Sequence, residues 1–162
     1  MTEKLYDLRK SFVHALRGIA VCIRYERNMR IHIAATVYVI FTALFFYDLT
    51  RAELILLILT CVSVMSLEII NTAIEVLTDK ASPEYSALAK VAKDTAAGAV
   101  LLASFMAVVI GVILFWDIEK FKEIAAFFGQ SLSMSVVLIL SVILSGIFIF
   151  TGKERRKRGK RK

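Results

Sequence analysis

Residues 54–77 read LILLILTCVSVMSLEIINTAIEVL. This run is apolar almost throughout, yet it carries Glu68, Asn71 and Glu75 in its second half. A helix needs about 20 apolar residues to cross the ~30 Å hydrocarbon core of a bilayer. Because a run of this length without strict alternation favours a helix over a strand, we predict a transmembrane helix over Leu54–Leu77.

Three further segments have a similar length and composition: Ile31–Tyr47, Thr95–Trp116 and Leu132–Thr151. Of the 162 residues, 58% are hydrophobic, although the formal net charge is +7. A soluble domain of this size cannot bury so much apolar surface, whereas a membrane protein separates its charges from its spans. The sequence therefore predicts an all-α integral membrane protein with four transmembrane helices. Cys22 and Cys61 belong to no CxxC pair, so no disulfide framework or metal–thiolate site is predicted.

Basic residues are concentrated on one side of the predicted membrane. Of the 21 Lys and Arg residues, all but Arg51, Lys120 and Lys122 precede the first span, separate the second from the third, or follow the fourth. Because cytoplasmic loops are enriched in Lys and Arg, we predict a multi-pass protein of the cell membrane with both termini cytoplasmic. Beside a membrane span, the basic tail is assigned to topology and to attraction for anionic lipid, not to nucleic-acid binding.

The segment before the first span is predicted to be an amphipathic helix. Its apolar residues recur at three- and four-residue spacing, and its basic residues occupy other faces. Such a helix is suited to the surface of the inner leaflet, although a helix packed against the bundle has the same pattern. The apolar positions are Leu5, Leu8, Phe12, Ala15, Leu16, Ile19 and Ile23.

The third span is predicted to begin well before the membrane. Ser82 is a favourable N-cap, Pro83 fits the first helical position, and Glu84 complements the positive end of a helix. At ~1.5 Å per residue, a helix from Pro83 to Trp116 is about 50 Å long, so its first turns project from the membrane. The projection carries Glu84, Tyr85, Lys90, Lys93 and Asp94.

A polar stripe runs along the second span. Glu68, Asn71 and Glu75 have i, i+3 and i+7 spacing, which places them on one helical face, and Asp79 continues the stripe. A charged carboxylate at the centre of a span costs on the order of 2.5–3.5 kcal/mol by insertion scales. Interhelical hydrogen bonds explain Asn71 well but explain two glutamates poorly, so a functional site is favoured.

The depth of the stripe separates two functional classes. It climbs from the predicted cytoplasmic interface, and the outer halves of the four spans carry essentially no ionisable group. A small ion-coupled transporter or channel subunit is the alternative, but an ion path would favour such groups across the whole bilayer. The distribution favours an enzyme that joins a water-soluble substrate to a lipid.

Two other cytoplasmic edges carry groups that can meet this stripe. Glu26, Arg30 and His32 precede the first span, and Lys93 with Asp94 precedes the third. An ordinary charged membrane flank explains the arginine better than it explains Glu26. Carboxylates bind Mg²⁺ together with substrate phosphates, and a lysine balances charge on a transferring phosphoryl group. No GxxxxGK[ST] loop or protein-kinase motif occurs, so the pattern matches neither common soluble kinase plan.

The motif EIINTAIE at residues 68–75, followed by Asp79 and by Lys93-Asp94, resembles the prokaryotic diacylglycerol kinase family, which includes the undecaprenol kinases. The resemblance covers roughly residues 8–116. It implies a homotrimer with active sites shared between subunits, and transfer of the γ-phosphoryl group of ATP to a membrane lipid alcohol. Undecaprenol is favoured because residues 26–32, ERNMRIH, resemble the Gram-positive-type branch, and diacylglycerol is the alternative.

The resemblance also implies roles for individual residues. Glu68 is the expected catalytic base, with Asn71 supporting the site and Lys93 balancing charge. Glu26 and Glu75 are expected to hold the Mg²⁺ that ATP carries. A catalytically inactive scaffold is disfavoured because these residues are intact. The positions expected around the nucleotide are Glu26, Glu75, Glu84, Tyr85, Lys93 and Asp94.

Two features depart from the family pattern. Ser86 stands where many members have histidine, and a fourth span with a basic tail follows the three spans at which members typically end. The serine and glycine positions of the fourth span are suited to close helix packing. The predicted organisation is a cytoplasmic amphipathic segment (1–30), a three-span kinase core (31–116), an outer loop (117–130), a fourth transmembrane helix (131–151) and a basic cytoplasmic tail (152–162).

Overall fold

The computed structural model describes residues 2–82 and 86–152, with side chains from residue 7 onward. Glu84, Tyr85 and residues 153–162 of the tail therefore lie outside the described residues. The described ranges form six helices: α1 Thr2–Tyr25, α2 Arg27–Phe46, α3 Arg51–Ala81, α4 Ala87–Phe115, α5 Ile118–Gly129 and α6 Leu132–Phe150.

Four of these helices, α2, α3, α4 and α6, are long and apolar enough to cross a membrane. They confirm the prediction of an all-α protein with four membrane spans. Most of their large apolar side chains are exposed, as Leu101 (72%) and Ile113 (73%) illustrate. Soluble proteins rarely expose continuous apolar surface on this scale, so a surrounding bilayer or neighbouring subunits must cover it.

The ends of α3 and α4 differ from the prediction. The proposal that Ser82 begins the third span is wrong, because Ser82 is the C-cap of α3 and its N–H donates to Thr78 O at 2.9 Å. Ser86 is the N-cap of α4 and accepts from Ala89 N at 3.4 Å. The 29 residues of α4 correspond to about 44 Å, so this helix still extends beyond the hydrocarbon core.

Helix α5 lies within the predicted outer loop, and the sequence analysis did not predict it. Asp117 Oδ1 accepts from Glu119 N at 2.9 Å and from Lys120 N at 3.1 Å, which caps the first turn. Lys120 also donates to Glu123 at 2.8 Å, a bond that raises the pKa of this lysine. The apolar face of α5 contacts the end of α2, where the rings of Phe46 and Phe127 are 5.4 Å apart.

The main packing joins α3 to α4, α2 to α3, and α6 to α2. Helix α6 runs antiparallel to α2, since Tyr38 bonds Ser141 and Ser145 at 3.1 Å while Arg30, two turns earlier, bonds Ile149 O at 3.0 Å. Ser141 and Ser145 thus serve the packing of α6 against α2. Because α6 reaches the level at which α2 begins, it passes alongside the whole of α2.

Candidate active site

The candidate site centres on Glu68, whose side chain is one of the two largest fully buried side chains, with 1% exposure. Its Oε2 atom and Asn71 Oδ1 are buried without a hydrogen-bond partner in the described part of the chain. Burying a polar oxygen without a partner costs roughly 1–3 kcal/mol, so orphaned oxygens in a native site require an explanation. Two such oxygens on one helical face are expected where a substrate, a water molecule or an ion completes their hydrogen bonding.

A second carboxylate is held beside Asn71. Asn71 Nδ2 donates to Glu75 Oε1 at 3.1 Å, one turn further along α3. This bond confirms that Asn71 and Glu75 share a helical face, as their spacing predicts. It also fixes the orientation of Glu75 relative to Glu68.

The third carboxylate comes from another helix. Glu26 lies between α1 and α2 in an extended conformation, and its side chain does not cap α2. Glu26 and Glu75 both lie within electrostatic reach of Glu68, and the Asn28 side chain lies next to the Glu68 carboxyl group. The structure therefore brings Glu26, Glu68 and Glu75 together, as expected for a single site.

Helix α1 is fastened next to this cluster. Cys22 Sγ lies 3.3 Å from Thr72 Oγ1, and both residues are buried. The sequence analysis noted only that Cys22 belongs to no CxxC pair, and it did not single out Thr72. Their contact links the end of α1 to α3 at the residue that follows Asn71. The one sequence signal for this contact is the position of Thr72 next to Asn71 in the polar stripe.

A cavity of about 240 Å³ opens beside the carboxylates, between α2, α3 and α4. Its lining combines polar and apolar side chains, as expected for a ligand with a polar head and an apolar body. The polar lining is Asn28, His32, Glu68, Asn71 and Ser104, and the apolar lining is Ile31, Ala97, Val100 and Leu101. Ser104 and Asn28 had no assigned role in the sequence analysis.

Lys93 lies at the end of the stripe. It forms an ion pair with Asp79, which joins α4 to α3 one turn beyond Glu75. The sequence analysis placed Asp79 on the stripe but did not pair it with Lys93. Asp94 is exposed next to the pair. The predicted nucleotide residues Lys93 and Asp94 thus lie at the same end of α3 as Glu75.

The donor set suits a hard cation that also binds phosphate. The described residues contain no group of three or more His, Cys, Asp or Glu able to enclose a metal ion. Mg²⁺ is commonly bound by one or two carboxylates with substrate phosphates and water completing its shell. Glu26 and Glu75, beside two orphaned oxygens, fit that mode of binding and do not fit a closed protein cage.

Fold and site together define a membrane protein with four candidate spans and a carboxylate cluster around the buried Glu68 at one end of them. The chain belongs to the prokaryotic diacylglycerol kinase family, whose sequence model matches residues 13–115. This match confirms the resemblance, and it ends at the last residue of α4, so α5 and α6 lie beyond it.

Three curated relatives illustrate the similarity. The undecaprenol kinase of Bacillus subtilis (strain 168) is 42% identical over 106 residues, which are 65% of this chain and 85% of the relative. A diacylglycerol kinase of Synechocystis is 43% identical over 106 residues, 65% of this chain and 60% of the relative. That of Haemophilus influenzae is 31% identical over 116 residues, 71% of this chain and 98% of the relative. No solved structure matches the chain.

Proposed function

We propose that this protein is a membrane lipid kinase that transfers the γ-phosphoryl group of ATP to the hydroxyl group of a lipid alcohol. The observation that carries the proposal is the buried Glu68 carboxyl group: its Oε2 has no partner in the described part of the chain, and its side chain lines a cavity with polar and apolar residues. The names of the relatives and the family agree with this chemistry. They give no support to the alternative of an ion-coupled transporter or channel subunit.

Glu68 acts as the general base in the proposed reaction. The lipid hydroxyl group enters the cavity and donates its proton to Glu68 as its oxygen attacks the γ-phosphorus. A new P–O bond forms to the lipid oxygen, the bond to the β,γ-bridging oxygen breaks, and its electron pair leaves with ADP. Asn28 and Asn71 hold Glu68 and Glu75 in place during this step.

Glu26 and Glu75 are the proposed holders of Mg²⁺. Bound with ATP, the ion would neutralise negative charge on the phosphate groups. The two glutamates both lie within electrostatic reach of Glu68, and Lys93 with Asp94 lies at the end where the nucleotide is expected. Glu84 and Tyr85 remain expected nucleotide contacts outside the described residues.

Undecaprenol is the proposed substrate, with diacylglycerol as the competing acceptor. The Bacillus subtilis relative is named for undecaprenol, and the ERNMRIH stretch carries His32 and Asn28 into the cavity wall. The test is purified protein in lipid nanodiscs with MgATP and either lipid alcohol at equal mole fraction. A higher kcat/KM for undecaprenol supports the proposal, whereas a higher value for diacylglycerol reverses the order. No phosphorylated product with either lipid contradicts the kinase assignment.

The proposed assembly is a homotrimer in the cell membrane with both termini cytoplasmic and α1 on the inner leaflet. The exposed apolar positions of α1, including Phe12 (63%) and Leu16 (64%), support contact of this helix with lipid or with a neighbouring subunit. Native mass spectrometry of the protein released from nanodiscs tests the number of subunits. Three copies are expected, and any other number contradicts the proposed assembly.

A further inference from the structure

Arg30 is buried, with 5% exposure. In the described part of the chain, its hydrogen-bond acceptors are all main-chain carbonyl groups. Nη1 donates to Ile23 O at 3.0 Å and to Arg24 O at 3.2 Å, and Nε donates to Ile149 O at 3.0 Å. The guanidinium group therefore connects the last turn of α1 with the last turn of α6.

These contacts have a clear physical basis. The last four carbonyl groups of a helix have no partner within the helix, and the end that carries them favours a positive charge. Arginine presents five N–H donors in a planar fork, so one side chain can serve two helix ends at once. Arg30 is itself in the first turn of α2, so it fastens three helices at one point.

That point is adjacent to the carboxylate cluster. Glu26 is the single residue between α1 and α2, four residues before Arg30. The angle between these two helices sets the direction of the Glu26 side chain relative to Glu68 and Glu75. Helix α6 holds Arg30 from the other side and is itself anchored on α2 through Tyr38, Ser141 and Ser145.

We propose that the fourth span is a positioning element for the active site, with Arg30 as the positioning residue. The carbonyl group of Ile149 fixes the Arg30 guanidinium group, which holds the end of α1 and thereby keeps Glu26 near Glu68. The proposal rests on the proposed role of Glu26 as a holder of the Mg²⁺ that accompanies ATP. It gives the helix beyond the family match a function in nucleotide binding.

Two glycines of the last segment provide a matched pair of variants. A Cβ atom at Gly152 would overlap the Arg30 guanidinium group, whereas a Cβ atom at Gly146 meets nothing within 4 Å. Neither glycine has a positive φ, so the backbone tolerates alanine at both positions. Gly152→Ala should displace the guanidinium group from Ile149 O, and Gly146→Ala should leave it in place.

The first measurement is the steady-state kinetics of both variants in nanodiscs. We expect Gly152→Ala to raise the KM for MgATP roughly 10-fold, as loss of support for a metal-binding side chain typically does. The KM for the lipid alcohol should stay within about twofold of the wild-type value. Arg30→Lys should produce the same shift, because an ammonium group cannot span both helix ends. Equal KM values for MgATP in the two alanine variants would overturn the proposal, as would a shift confined to the lipid alcohol.

The second measurement is hydrogen–deuterium exchange in the absence of nucleotide. The last turn of α1 includes the bond from Glu26 N to Cys22 O at 2.8 Å, and it should exchange faster in Gly152→Ala than in Gly146→Ala. Identical exchange over residues 22–26 in these two variants would overturn the proposal whatever the kinetics show. If the wild-type protein phosphorylates no lipid alcohol, the proposed function fails, and this exchange comparison still decides whether α6 holds the α1–α2 junction.

Discussion

Lys93 forms an ion pair with Asp79 across the α3–α4 interface. The lysine that is proposed to balance charge on the phosphoryl group is therefore held by a carboxylate one turn beyond Glu75. The two side chains are 35% and 59% exposed. Exposed ion pairs are typically worth about 0–1 kcal/mol, which a nucleotide phosphate can readily exceed. Asp79 therefore holds Lys93 near the site. The ion pair is weak enough for the Lys93 ammonium group to leave Asp79 and pair with a phosphate group of a bound nucleotide.

This relationship predicts opposite outcomes for the two partners. Lys93→Met removes the charge that balances the phosphoryl group, so kcat/KM for MgATP should fall on the order of 10²-fold or more. Asp79→Asn removes only a partly exposed ion pair, so the same parameter should change by less than about fivefold. Steady-state kinetics on both purified variants provides the comparison. Equal losses in the two variants would mean that the pair itself, and not Lys93 alone, is required.

The two proposed metal-holding glutamates predict a dependence on Mg²⁺. Glu26→Gln and Glu75→Gln should each weaken MgATP binding, with partial recovery at higher Mg²⁺, because a neutral amide is a poorer ligand for a hard cation. Direct titration with MgATP measures the effect. Glu119→Gln, which alters an exposed carboxylate on α5, is the matched control and should bind as the wild-type protein does. Unchanged affinity in both site variants would place the metal elsewhere.

The fourth span predicts the location of the basic tail. Because α6 runs antiparallel along α2, α6 ends on the side of the membrane where α2 begins, and we predict that the tail lies on that side. Cysteine at Lys157, in a background with Cys22→Ser and Cys61→Ser, should resist membrane-impermeant thiol reagents in intact cells and react after permeabilisation. Serine at position 22 retains a hydroxyl group for Thr72, so the background should fold. Labelling in intact cells would place the tail outside and contradict the predicted orientation.

The spans and the face shared by Glu68, Asn71 and Glu75 could be predicted because both depend on local rules. The length of an apolar run determines whether a helix can cross the bilayer, and residue spacing determines which side chains share a helical face. The bond between Asn71 and Glu75 follows from these rules. The approach of Glu26 to Glu68 needed the family resemblance as well, because it depends on the angle between α1 and α2.

Other features could not be predicted from local patterns. Ser82 and Ser86 are both reasonable N-caps, and the choice between them depends on how far α3 continues, which packing against α4 decides. The partner of Lys93 depends on the register between two helices. Helix α5 was recognisable in principle, because Asp117 is a favourable N-cap followed by apolar residues at helical spacing.

The proposed reaction requires Glu68 to accept the proton of the lipid hydroxyl group, and Glu68→Gln removes this ability. Glutamine preserves the size of the side chain but cannot act as the base. We predict that kcat with the lipid alcohol falls about 10²–10⁴-fold while the affinity for MgATP stays close to that of the wild-type protein. Measuring both quantities on the same preparation in nanodiscs separates loss of chemistry from loss of fold. Near-normal turnover in Glu68→Gln would mean that Glu68 is not the general base.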